Sequence, residues 1–109
     1  MSTDALLVLT TCGDAQEADN LAEALVKQRL AACVSSLEGI VSTYRWESKL
    51  QRDREVLVLI KTTKDRFKAL EAMIREQSSY ELPEILAVPV HSGSSDYLKW
   101  LAASASFEE

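Results

Sequence analysis

Apolar positions change period several times along this chain, and each change marks an element. Ala5 to Thr11 (ALLVLTT) is apolar almost throughout and runs into Cys12, Gly13 and Asp14, which predicts a buried strand, a turn and a helix N-cap. Ala18, Leu21, Ala22, Leu25 and Val26 then recur at helical spacing while Glu17, Asp19, Glu23 and Lys27 point elsewhere, an amphipathic helix from 15 to about 30. Ala32 to Ser36 opens a second strand. Gly39 interrupts it, where a bulge or bend re-aims Ile40 to Glu47, and Gln51, Arg52 and Asp53 close a polar connection. Glu55 to Thr62 (EVLVLIKT) is the clearest strand, with Val56, Val58 and Ile60 on one face and Leu57 and Leu59 on the other. Thr62, with Asp65 three residues on, resembles a capping box ahead of the helical stripe Phe67, Leu70, Met73 and Ile74. Tyr80 to Glu84 is irregular around Pro83. Ile85 to Val90 (ILAVPV) forms a fourth strand, and Pro89 assigns it to a sheet edge because proline cannot donate to a ladder. Ser94 or Ser95 caps a last helix containing Tyr97, Leu98, Trp100 and Leu101.

The order is β-α-β-β-α-β plus a C-terminal helix, an α+β class with a ferredoxin-like antiparallel sheet. Right-handed crossovers put both main helices on one face of four strands. Yet the strands at 5–11, 55–62 and 85–90 are apolar on both faces, and one short terminal helix covers too little of the second. The pattern therefore predicts an oligomer whose subunits bury each other's second face. Tyr44 and Trp46 share a face at the tip of a hairpin, where a small domain has no spare core for two rings. A partner chain or a ligand is expected to cover them.

Composition narrows the class. With 109 residues, 47% of them hydrophobic, three Gly and two Pro, the chain makes one domain, with looser ends expected at 1–4 and 104–109. Its formal charge is -5 and its basic residues are dispersed, so the basic footprint of a nucleic-acid binder is missing. The start Met1-Ser2-Thr3-Asp4 carries no basic residue, and the apolar run after it is too short for a signal core or a spanning helix, which predicts a cytoplasmic protein with no membrane contact. Cys12 and Cys33 have no CxxC spacing and read as small buried thiols.

No Walker loop, GxGxxG, HExxH or GxSxG occurs, and His91 is the one histidine. Pairing either cysteine with His91 as nucleophile and base is a low-specificity pattern, and a loop histidine that meets solvent is the plainer reading. Glu81 and Glu84 flank Leu82 and stiff Pro83; carboxylates with an imidazole nearby offer donors for a divalent ion. The plainer role for Glu84 is a lysine pair or a backbone cap. Lys61 follows a run of apolar residues on a central strand, so it either snorkels to the strand end or meets Glu84 or Glu47.

The ordered set Leu30-Ala31-Ala32-Cys33, Tyr44-Arg45-Trp46-Glu47-Ser48-Lys49, Glu55 to Thr62, Tyr80-Glu81-Leu82-Pro83-Glu84-Ile85 and Tyr97-Leu98-Lys99-Trp100-Leu101 resembles the CutA divalent-cation tolerance proteins across residues 5 to 103. The resemblance implies a ferredoxin-like subunit in a compact homotrimer similar in shape to the PII signalling proteins. It also implies a link to tolerance of copper and other divalent metals. Two positions depart from the family pattern: Ser78 and Ser79 stand where many members have His-Pro, and Ser48 stands where Gly is usual. The leading reading is a non-enzymatic trimer that binds a divalent cation such as copper, or a small ligand, in clefts between subunits, with no organic cofactor. Tyr44, Trp46, Glu47, Lys61, Tyr80, Glu84 and Trp100 are the candidate ligand or interface residues, and Cys33, Glu81 and His91 the candidate metal ligands. The alternative is a PII-like signalling or structural trimer without direct metal binding. An acylphosphatase needs a glycine-rich phosphate loop followed by arginine, and the chain offers only Thr11, Cys12 and Gly13 there. An RNA-binding sheet is opposed by the acidic balance and the aliphatic central strands.

Overall fold

The first strand, β1 (Ala5–Cys12), ends where Asp14 caps the helix that follows: its carboxylate accepts the Glu17 amide at 2.8 Å. That helix, α1 (Ala15–Lys27), stops three residues earlier than periodicity suggests. Arg29 adopts a left-handed φ of 57°, and the amides of Arg29 and Leu30 fold back onto the carbonyls of Val26 and Leu25 at 3.1 and 2.9 Å. This is a Schellman closure made without glycine. The structure, a computed structural model, describes residues 3–107.

β2 (Cys33–Trp46) and β3 (Lys49–Thr63) are one long antiparallel hairpin. The expected polar connection at Gln51 to Asp53 is instead ladder, and the turn is only Glu47 and Ser48, with φ of 49° and 67°. Two positive φ values fit a type I′ turn, whose twist matches that of the strands it joins. The ladder slips between Leu37 and Ile40, and Gly39 (φ 82°) occupies the expected bulge. After β3 comes a short 3₁₀ turn, Lys64–Arg66, then α2 (Phe67–Gln77). The cap lies one residue beyond the expected Thr62: Thr63 donates to Asp65, while buried Thr62 stays in the strand and donates to the Leu30 carbonyl at 2.7 Å. β4 (Leu86–Pro89) and α3 (Ser95–Ser104) complete the chain, with Ser94 capping α3.

The strand order is β2-β3-β1-β4, all antiparallel, with β4 at the edge that Pro89 required. One face packs Val8, Val56, Val58 and Ile60 beneath Leu21, Leu25, Leu70 and Ile74 of the two main helices. On the other face, α3 seats Leu101 and Ala105 against Ala5 and Ala32 at one end only. Beyond that end, Leu9, Leu57 and Leu59 are half-buried and Leu37, Leu86 and Val88 exposed. The ends meet specific anchors: Thr3 donates to the Val90 carbonyl, Arg66 donates to the Ala105 carbonyl at 2.8 Å, and the Arg66 guanidinium stacks on Phe107 at 3.7 Å. Residues 1, 2, 108 and 109, part of the expected loose ends, lie outside the described residues. Among the described residues no helix is long and apolar enough to cross a membrane.

Candidate functional site

At the end of β1 away from α3, the segment joining α2 to β4 crosses toward the tip half of the hairpin and leaves an open cleft of about 570 Å³. The strands contribute Thr11, Ser42, Thr43, Tyr44, Trp46 and Glu55, and the segment contributes Ser79, Tyr80, Glu81, Leu82 and Glu84. Thus three carboxylates and three aromatic rings line the cleft, and no Lys, Arg or His does. Alternation along β2 sends Ser42, Tyr44 and Trp46 to the same face as Glu55 and Asp53, their cross-strand partners or near neighbours on β3.

Hydrogen bonds tie the walls together. The Tyr80 hydroxyl donates to Glu55 at 2.6 Å, joining residues 25 apart in sequence, and the Tyr44 hydroxyl donates to Asp53. Both phenols are held above their ordinary value. For Tyr80 burial is the main cause and the Glu55 bond the next; for Tyr44 the Asp53 bond dominates. Behind the cleft, Glu17 in the first turn of α1 accepts from the Ser79 amide at 3.1 Å, the Ser79 hydroxyl at 2.8 Å and the Gly13 amide at 3.4 Å. Cys12 lies buried close by, its thiol pushed up to about 12 by burial and then by Glu17, Asp14 and Glu55.

Within one chain, the residues expected to act together do not form a single group. Tyr44, Trp46, Tyr80, Glu81 and Glu84 meet in the cleft. Glu47 does not line it, because it forms the exposed hairpin turn. Lys61 also lies elsewhere: its ammonium bonds Ser35 across the strand pair at 2.7 Å and reaches the Cys33 sulfur at 3.8 Å, rather than Glu84 or Glu47. Trp100 packs at a tilt of 43° against Tyr97 of α3 with ring centroids 5.4 Å apart, and the Tyr97 hydroxyl neighbours Cys33. Cys33 and Tyr44 stand eleven residues apart on β2, roughly 35 Å of extended chain.

The candidate metal ligands are also apart within one chain. His91 follows Val90, whose amide bonds Ala5, whereas Glu81 faces the cleft at the Thr11 end of β1. Cys33 on β2 lies three strand steps from β4, about 14 Å at the usual strand spacing. Among the described residues, no three His, Cys, Asp or Glu side chains are grouped so as to hold a metal ion. Four further residues of this region, Thr11, Glu17, Glu55 and Ser79, were not among the candidate site residues. Glu55 carried a signal, as a charge heading a strand that is otherwise apolar as far as Lys61, and Ser79 carried one as a departure from the family pattern.

The family model for CutA1 divalent ion tolerance protein matches residues 6–104. The chain belongs to this family of small α+β divalent-ion tolerance proteins. A divalent-cation tolerance protein CutA from Yersinia pestis (strain Pestoides F) is 43% identical over 102 residues, covering 94% of this chain and 86% of the relative. Among solved structures, CutA from Xylella fastidiosa superposes with a TM-score of 0.93 at 38% identity, covering 95% of this chain and 100% of the other. The divalent cation tolerance protein from Thermus thermophilus gives 0.90 at 39% identity, covering 92% and 97%. These relatives are named for tolerance rather than for an enzymatic activity.

Proposed function

We propose that this protein serves divalent-cation tolerance as a non-enzymatic homotrimer that takes up a cation in the Tyr80 cleft. The observation that carries the reading is the lining itself. Glu55, Glu81 and Glu84 supply hard oxygen donors, Tyr44, Trp46 and Tyr80 supply faces that attract positive charge, and no Lys, Arg or His is among the lining residues. Because no three ligands of one chain are grouped for a metal among the described residues, the ion keeps part of its water shell or draws its remaining donors from a neighbouring subunit. The trimer rests on the exposed apolar face beyond α3, which a second copy buries.

Calorimetric titration with manganese(II), which prefers oxygen, and with copper(II) tests this reading. Glu81→Gln and Glu84→Gln should each weaken manganese binding severalfold. Cys33→Ala and His91→Ala, at positions remote from the cleft of their own subunit, should leave it unchanged unless a neighbouring subunit supplies them as the remaining donors. Equal affinity in the wild type and both glutamate variants overturns the assignment. Loss of copper binding in Cys33→Ala with the cleft variants unaffected would move the copper site to the Lys61 end of the sheet.

A further inference from the structure

We infer that Glu17 is the latch of the cleft: it fixes the segment 78–84 against the end of α1 and so sets how closely that wall meets the strands. Its effect on cation affinity rests on the reading above, whereas the latch itself stands on geometry. The cleft has two unlike halves. The strand half is held by the sheet ladder, while residues 78–85 contain neither helix nor strand, so their place depends on side-chain bonds. The longest-range of these run to Glu17, 62 residues away, which accepts both the amide and the hydroxyl of Ser79. The next residue, Tyr80, is held through its hydroxyl by a second carboxylate, Glu55 of β3, at 2.6 Å. A local bond from the Tyr80 amide to the Ser78 hydroxyl at 3.0 Å tightens the turn between them.

Two carboxylates on different elements thus hold adjacent residues of one loop, one through its backbone and one through its ring. The convergence shows at Gly13, where a Cβ would sit 3.6 Å from the Glu17 carboxylate, 3.7 Å from the Tyr80 hydroxyl and 3.8 Å from the Ser79 hydroxyl. Ser79 suits the latch because it brings two donors; proline there would bring neither an amide hydrogen nor a hydroxyl.

Amide hydrogen exchange and manganese(II) calorimetry on the full chain test the inference together. In Glu17→Gln the side chain keeps its length but has one acceptor oxygen for three donors, so exchange at Ser79 should quicken roughly tenfold. Glu23→Gln, which alters only an exposed pair with Lys27 on the same helix, should leave it unchanged. Manganese affinity should fall at least threefold in Glu17→Gln. Ser79→Ala, which removes the hydroxyl arm from the loop side, should show a smaller change in the same direction and serves if Glu17→Gln fails to fold. Unchanged Ser79 exchange overturns the latch; faster exchange with unchanged affinity overturns its control of the cleft. If the wild type binds no manganese, the cation reading fails, and Ser79 exchange still decides the latch.

Discussion

Tyr80 is the residue on which the cleft turns, because its ring lines the wall while its hydroxyl caps a half-buried carboxylate. Tyr80→Phe keeps the ring and deprives Glu55 of a charge-assisted bond, so urea unfolding should show a loss of about 1 to 2 kcal/mol. Cys12 makes a prediction at high pH. Its folded thiol holds its proton up to about 12 against an ordinary value of 9.0, so its contribution is complete below pH 9 and drains away as pH rises toward 12. Unfolding midpoints at pH 8 and 10.5 should therefore differ less in Cys12→Ala than in the wild type, after allowing for its lower baseline. The rings of this region were legible because bulky aromatics two apart on a strand need a cover. Glu17 and Ser79 were not, since a bond between residues 62 apart leaves no trace in local periodicity.

Element types followed from the apolar pattern, and errors gathered where an ordinary residue took a left-handed backbone. Glycine would have flagged the stop of α1 and the hairpin tip, but Arg29, Glu47 and Ser48 carry the positive φ values instead. The tip offers the sharper test. Ser48→Gly should relieve backbone strain and raise stability by about 1 kcal/mol, read as a higher urea midpoint at unchanged slope. An unchanged or lower midpoint would mean that Ser48 makes a compensating contact. Gly39, by contrast, was readable as a bulge, because an isolated glycine inside a strand pattern has few other uses.

For the whole molecule, the apolar alternation of β1, β3 and β4 announced a sheet with two dry faces, and the fold shows one of them mostly bare. Sedimentation at micromolar concentration should give a trimer for the wild type. Leu37→Lys combined with Leu86→Lys, both at positions exposed within the subunit, should give folded monomers with unchanged circular dichroism. A wild-type monomer would defeat the assembly argument outright. What the pattern could not convey is which residues meet across chains, because strand alternation says that a face needs cover without saying what supplies it. The proline of β4 bears on how that cover can arrive. Val90 turns its amide inward to Ala5, so the neighbouring Pro89 nitrogen looks outward, where a flanking strand would seek a donor. With only four residues in β4 and that donor missing, this rim offers a stray copy a short, interrupted ladder, which discourages the side-by-side growth that builds fibrils.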